Sequence, residues 1–293
     1  MPNGLIVKSL SGFYYVQDQD LYIQCRGRGL FRKQKRKPLV GDHVEYEAEN
    51  KTDGYIMELH ERKNELIRPP IANVDQVLLV FSALEPDFST HLLDRFLVHI
   101  EAAQIEPVIV ISKIDLLNET QEAKIQSYVR HYEEIGYRVR LTTNEGEKGL
   151  EWLMPDLNDR ISVVAGQSGV GKSSLLNALK PNLEIETDQI STHLGRGKHT
   201  TRHVELLSIG TGLVADTPGF SSVEFTDIEA EDLALYFPEM ASRMPECKFR
   251  GCLHTSEPKC AIKDALHEGM IQPYRYEHYL TFLEEINQRK RRY

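Results

Sequence analysis

A chain of 293 residues is long for one compact domain, and 41% hydrophobic against 27% charged residues gives material for two or three apolar cores. No apolar run approaches the ~18 residues a membrane span requires, and the amino end, MPNGLIVKSL, lacks the basic patch and apolar centre of a secretion signal, so a cytoplasmic location and no membrane partner are expected. A net charge of −9 argues against nucleic-acid binding over the whole surface and confines any such contact to local basic segments.

Residues 1–66 read as short strands divided by turn chemistry: GLIVKSL, FYYVQ, LYIQCRG, GDHVEYEAE and YIMELHE, broken by Ser-Gly, Asp-Gln-Asp, Pro and Asp-Gly. Such a set with little helix predicts a small barrel. An OB-type barrel, which holds oligonucleotides against one face, is favoured over an SH3-like spacer. Within it, CRGRGLFRKQKRK (Cys25 to Lys37) carries no acid and contains two glycines and a phenylalanine, the character of an RNA-contacting loop. A solvated loop is the plainer alternative.

Two prolines in RPPIANVD, from Arg68, mark a boundary, after which strands and helices alternate. DQVLLVFSA is a strand, STHLLDRFLVHIEAAQ a helix opened by Ser89 or Thr90, PVIVIS a strand, NETQEAKIQSYVRHYEEIG a helix stopped by Gly136, and YRVRLT a strand. ISVVAG follows as a strand feeding QSGVGKSSLLNALK, and HVELLSIGTGLVADTPG reads as two strands joined at Gly210 to Gly212. Alternating βα units predict a parallel sheet covered on both faces.

Ser112-Lys113-Ile114-Asp115 closes the second strand of this region. In GTP-binding proteins an Asn/Thr/Ser-Lys-x-Asp step at a strand end reads guanine. The Asp115 carboxylate matches the N1–H and exocyclic amine, a donor pair adenine lacks, and the Lys113 stem lies along the base. Ser112 stands where Asn is commonest, a slightly weaker match. LTTNEG offers a softer second base contact around Thr143.

Gly166-Gln167-Ser168-Gly169-Val170-Gly171-Lys172-Ser173 sits between a strand and a helix, the setting in which G-x4-G-K-S is a phosphate loop. Glycines let backbone N–H groups converge on phosphates at a helix N-terminus, and Lys172 reaches the terminal phosphates. Ser173 is placed to hold Mg2+, with Ser174 a further hydroxyl. Downstream, VADTPGF supplies Asp216 for the metal and Gly219 for a γ-phosphate contact. Between them, THLGRGKHTTRH is polar and glycine-broken, as a nucleotide-dependent switch would be, with Thr201 or Thr200 as its metal-sensing hydroxyl and Thr201 preferred. In an uncut GTPase the phosphate loop comes first; here the base reader precedes it, so the domain is circularly permuted.

Ras-like enzymes carry a water-orienting glutamine directly after Asp-x-x-Gly, where this chain has Phe220. Phe220 makes no hydrogen bond, so another group or a partner must complete the site. His199 is the candidate, ahead of His203.

CKFRGCLHTSEPKC sets Cys247, Cys252, His254 and Cys260 at spacings that suit one tetrahedral, structural Zn2+. Unrelated buried thiols are the alternative. This stretch is expected to be too polar to build its own core and to be pinned by the metal. Cys25, alone in the first region, reads as an ordinary strand residue, and YEHYLTFLEEINQRKRRY as an amphipathic helix packed on the metal unit.

The small barrel, the permuted domain with SKID, GQSGVGKS and DTPGF, and the cysteine cluster together resemble the circularly permuted, ribosome-associated GTPases of bacteria, of the small-subunit-dependent RsgA type. The resemblance spans essentially the whole chain. It implies an OB-fold barrel, GTP hydrolysis stimulated by the small ribosomal subunit, and a role in late subunit maturation. The expected organisation is a multidomain α/β chain: an OB-like barrel over 1–66, a permuted GTPase domain over 67–225 and a helical zinc-binding domain over 226–293. Its partners would be the small subunit with its rRNA, and GTP or GDP. A translation-factor-like GTPase acting on another RNA, or a GTP-binding RNA switch with little hydrolysis, shares these motifs. No clear dimerisation element is present and a monomer is expected.

Overall fold

The structure, a computed structural model, describes residues 1–33, 36–67, 69–143, 153–179, 204–216 and 224–290. The first strands are β1 (Asn3–Leu10), β2 (Phe13–Asp18) and β3 (Leu21–Gly27), followed by helix α1 (Gly29–Lys33), β4 (His43–Asn50) and β5 (Asp53–Leu59). Alternation puts Tyr14 and Val16 of β2 and Ile23 and Cys25 of β3 inside, with Phe13, Tyr15 and Tyr22 outside. The strands close in the order β1-β2-β3-β5-β4, antiparallel except for β3 against β5, as the OB-type expectation requires. Cys25 is a buried strand residue, its thiol pushed up to about 11 by burial. One element differs from expectation. The basic run reads as loop throughout, but α1 forms within it because burying Phe31 in the barrel core gives this turn an apolar anchor.

A short antiparallel ribbon, β6 (Glu65–Leu66) with β7 (Ile71–Ala72), joins the barrel to the alternating region. Gly41, at φ +89°, lets the chain run against this ribbon; a Cβ there would lie 2.0 Å from the Ala72 carbonyl oxygen. Beside it the Arg62 guanidinium pairs with buried Asp42 at 2.7 Å, and the amide of Asn73 donates to the Gly41 carbonyl at 2.8 Å.

The alternating region forms β8 (Gln76–Ser82), α2 (Thr90–Ala102), β9 (Glu106–Ser112), α3 (Glu119–Ile135), β10 (Arg138–Leu141), α4 (Leu153–Leu157), β11 (Ile161–Ala165), α5 (Lys172–Leu179), β12 (Leu206–Ile209) and β13 (Gly212–Asp216). Ser89 caps α2, a reciprocal Asn118–Gln121 capping box opens α3, and Gly136 ends it at φ +109°. The sheet order is β10-β9-β8-β11-β13-β12, parallel except for the β12–β13 hairpin. The strands β8 and β11 are buried along their whole length because helices cover both faces. The barrel also touches the far edge of this sheet. Lys8 pairs with Glu205 at 2.7 Å and the Ser9 amide meets the Val204 carbonyl at 3.5 Å.

The last region holds α6 (Pro238–Ala241), α7 (Ala261–His267) and α8 (Pro273–Lys290). The expectation of a stretch too polar for its own core is overturned. Phe225, Phe237, Met240, Ile262, Tyr279 and Phe282 pack into one apolar cluster that also takes in Cys252 and Cys260. Many of the region's charged residues, among them Glu231, Lys248, Glu268 and Glu277, are exposed around it. Among the described residues no helix is long and apolar enough to cross a membrane.

This region docks on α2 and α3 through buried charge. Arg275 of α8 is 1% exposed and meets Asp94 of α2 at 2.5 Å and Glu239 at 2.7 Å. Asp94 also accepts from the Tyr132 hydroxyl at 2.6 Å and pairs with His278 at 2.6 Å. Removing one partner of such a set strands the others in a dry interior, at a cost of about 3–5 kcal/mol. Arg275→Met should therefore lower the stability measured by chemical unfolding by that much, while Arg289→Met, at a half-buried position near Glu229, should lower it by less than about 1 kcal/mol. Equal losses for the two variants would contradict docking through buried charge.

Candidate nucleotide and metal sites

The strand β11 delivers the chain into the glycine loop against the end of β8. Gly166 stands at φ +140°, and a Cβ on it would lie 2.1 Å from the Val80 carbonyl oxygen, so only glycine can make this exit. The loop then exposes Gln167, Ser168 and Gly169 and buries Val170 completely. Lys172 opens α5 and folds back over the loop, its ammonium donating to the carbonyls of Gly166 at 3.0 Å and Gln167 at 2.5 Å. Leu175 and Leu176 root α5 in the core beneath, leaving Ser173 half-buried and Ser174 exposed.

The SKID step is brought to the same rim. Ser112 is paired with Ser82 across β9 and β8, and its hydroxyl donates to the Val170 carbonyl at 2.6 Å, with the Phe81 carbonyl also within reach at 3.2 Å. Lys113 turns the chain at φ +60° and its ammonium donates to the Glu85 carbonyl at 2.5 Å. Ile114 opens one 3₁₀ turn with its amide on the Thr142 carbonyl at 3.3 Å, which leaves Asp115 exposed at the rim. Leu141 ends β10 and Thr142 and Thr143 follow it, whereas Asn144, Glu145 and Gly146 of LTTNEG lie outside the described residues. Asp216 ends β13, in register with Val164 of β11. His199, Thr200, Thr201, His203, Gly219 and Phe220 lie outside the described residues, as does the Asp216 side chain.

In the last region the ligating atoms of Cys247, Cys252, His254 and Cys260 all lie within 4.8 Å of one another, close enough to share one metal ion. His254 Nδ1 is 3.3 Å from the Cys260 sulfur and 3.7 Å from that of Cys247. Burial holds the His254 imidazole below its usual value, keeping it in the neutral form that ligates. Burial also pushes the Cys252 thiol up to about 12, so a thiolate there needs a compensating cation. The loop hangs from α8: Tyr276 and Tyr279 hydroxyls donate to the carbonyls of His254 and Leu253 at 2.6 and 2.9 Å.

The family model described as RsgA GTPase matches residues 59–226, and that of the RsgA N-terminal domain matches residues 3–56. The chain belongs to the RsgA GTPase family. A relative from Halalkalibacterium halodurans, named small ribosomal subunit biogenesis GTPase RsgA, is 65% identical over 294 residues and covers 100% of both chains. The crystal structure of YloQ, described as a circularly permuted GTPase, superposes with TM-score 0.86 at 54% identity, covering 99% of this chain and 96% of its own. That of YjeQ from Thermotoga maritima gives TM-score 0.86 at 38% identity, covering 97% and 98%.

Two contacts in this RsgA-family chain escape sequence reasoning. The serine at the first SKID position reads in the sequence as a weaker version of asparagine, but its hydroxyl ties the SKID turn to the glycine loop. The contact from Lys113 to the Glu85 carbonyl has no sequence signal, because a carbonyl is the same at every residue. Losing a buried hydrogen bond of the Ser112 kind costs about 1–3 kcal/mol. Ser112→Ala should weaken binding of a fluorescent GDP analogue by about tenfold while lowering the thermal midpoint by only a few degrees. A full-strength complex would show that the bond does not organise the loop.

Because the metal unit has its own apolar core, a chelator should release the ion without detaching α8. Hydrogen exchange should then lose protection across residues 247–260 and retain it along α8. Collapse of both together would mean that the ion, not the core, holds the unit.

Proposed function

We propose that this GTPase binds the small ribosomal subunit through its rRNA and hydrolyses GTP during the subunit's late maturation, working as three domains over 1–66, 67–225 and 226–293. The observation that carries the nucleotide part is the Ser112 hydroxyl on the Val170 carbonyl, which joins a guanine reader to a phosphate loop that comes after it in the chain. Full-length similarity to relatives named for small-subunit biogenesis supports the partner.

In this reading Asp115 takes the two guanine donors and Lys113 lies along the base. The amides of Gln167 to Ser174 cradle the phosphates, and Lys172 moves from its loop carbonyls to the terminal ones. Mg2+, held by Ser173 and Asp216 and sensed by Thr201, would neutralise charge between the β- and γ-phosphates. Gly219 would contact the γ-phosphate through its amide. Water attacks the γ-phosphorus, the bond to the bridging β–γ oxygen breaks, and GDP and phosphate leave. With Phe220 unable to orient the water, His199 takes that part once the partner sets the switch. The Cys247, Cys252, His254 and Cys260 set would hold zinc, since three thiolates and an imidazole with no open position favour that ion in a structural role.

GTP turnover by the purified protein, alone and with isolated small or large subunits, tests this. The small subunit alone should raise turnover by at least about tenfold, a modest share of the roughly 10³–10⁵ that partner completion can add. Lys172→Ala should abolish it, and His199→Ala should remove the stimulated part without weakening GTP binding. Flat, slow turnover under every condition would leave a GTP-binding switch in place of this function.

A further inference from the structure

The loop between Cys247 and Cys252 does more than close the metal site. It carries Lys248-Phe249-Arg250-Gly251, and Phe249 is 43% exposed at its tip, among the few large apolar side chains that the described surface leaves open. Single exposed apolar residues are ordinary and need no explanation. Three further features set this one apart.

The first is its company. The Lys248 ammonium lies 5.3 Å from the Phe249 ring centroid, and the Lys248 amide donates to the Lys259 carbonyl at 3.3 Å, which brings the backbone of a third basic residue to that of Lys248. Lys248, Arg250 and Lys259 make no ion pair with a described residue. The second is where the acid goes. Glu257, the one carboxylate between Cys247 and Cys260, accepts from the amides of Leu253 and Thr255 at 2.9 Å each, and those bonds fix it to its own loop; Glu246 precedes the loop. In a chain of net charge −9 the tip is therefore locally positive. The third is rigidity. The tip is held between two candidate metal ligands, turns at Gly251 with φ +71°, and belongs to a loop that rests on two tyrosine hydroxyls of α8.

We infer that the Lys248–Arg250 tip is an RNA contact in which Phe249 stacks on an unpaired base while Lys248, Arg250 and Lys259 neutralise the flanking phosphates. An aromatic face accepts any base, and flanking cations add the charge that a phosphate backbone requires. A tip fixed before binding loses little freedom on contact, so its small area is used efficiently. An acidic protein surface would satisfy the three cations, but it would leave the ring without a planar partner. The inference rests on the proposed rRNA partner and adds to it a second contact, on the opposite terminal region from the barrel.

The test places a photo-crosslinking benzoylphenylalanine at position 249 of the full-length, metal-loaded protein, with isolated small subunits as the probe. Crosslinks to rRNA are expected at a single-stranded site. Phe249→Ala should weaken subunit binding about five- to a hundredfold with metal content and melting unchanged, and Phe249→Trp should restore it. Lys248→Gln and Arg250→Gln should each lower the salt slope of binding by about one. Crosslinks confined to ribosomal protein, or full-strength binding by Phe249→Ala, would overturn the inference while leaving the proposed function intact. Failure of the unsubstituted protein to bind subunits would remove the proposed function, and this contact with it.

Discussion

In a parallel sheet every strand leaves by the same edge, so the loops beyond the strand ends collect along one rim whatever order the chain visits them. That register is the constraint a permuted site depends on. Ser112 lies opposite Ser82, Ala165 opposite Leu79, Val164 opposite Asp216 and Leu141 opposite Ile111. The SKID turn, the glycine loop and the end of β13 therefore arrive at one edge although SKID precedes the loop in sequence. A slip of one residue between β8 and β11 would turn buried side chains to the opposite face of the sheet and break the fit of Gly166 against the Val80 carbonyl. The same fit demands glycine, so the motif residue and the sheet register are one constraint.

Permutation also changes what is attached to each side of the nucleotide. β12 is entered through Val204 and Glu205, and both are fastened to the barrel, one by a backbone contact to Ser9 and the other by the Lys8 ion pair. The chain that leaves β13 re-enters the described structure before Phe225, whose ring stacks on His99 of α2 at 5.1 Å. The segments proposed as switches thus lead directly into surfaces that touch the two flanking regions. In an unpermuted arrangement the segment after β13 would run back into the nucleotide domain.

Much of this architecture is legible in the residues themselves. Alternation in FYYVQ and LYIQC separates the inside of the barrel from the outside, Ser89 and Gly136 bound their helices, and the spacing of Cys247, Cys252, His254 and Cys260 predicts a four-ligand cluster. Local chemistry carries that information. The hidden part is non-local. Phe31 inside a basic run forms a helix turn only because a barrel exists to receive it. The polar composition of the last region conceals a core, because Phe225, Phe237 and Phe282 are far apart in sequence and meet only when α8 folds back. Asp94, Arg275 and Glu239 belong to three separate segments, and no spacing rule links them.

That last cluster fixes how the metal unit can sit. A slide of α8 by one turn past α2 is a shift of about 5.4 Å, enough to part Arg275 from Asp94 and Glu239. Three charges would then be buried without partners, whereas apolar packing alone would tolerate the slip far better. His278 on the same carboxylate and the guanidinium of Arg275, 4.6 Å from the Phe237 ring centroid, add the same demand from two more directions. The tyrosines that hang the Cys247–Cys260 loop, Tyr276 and Tyr279, are the near neighbours of Arg275 on α8. The ion cluster therefore sets the position of the Lys248–Arg250 tip relative to α2, and α2 is capped by Ser89, only four residues beyond Glu85, whose carbonyl holds Lys113. The proposed guanine reader and the Lys248–Arg250 tip are thus joined through packed elements and hydrogen bonds, a geometry that couples the position of one to that of the other.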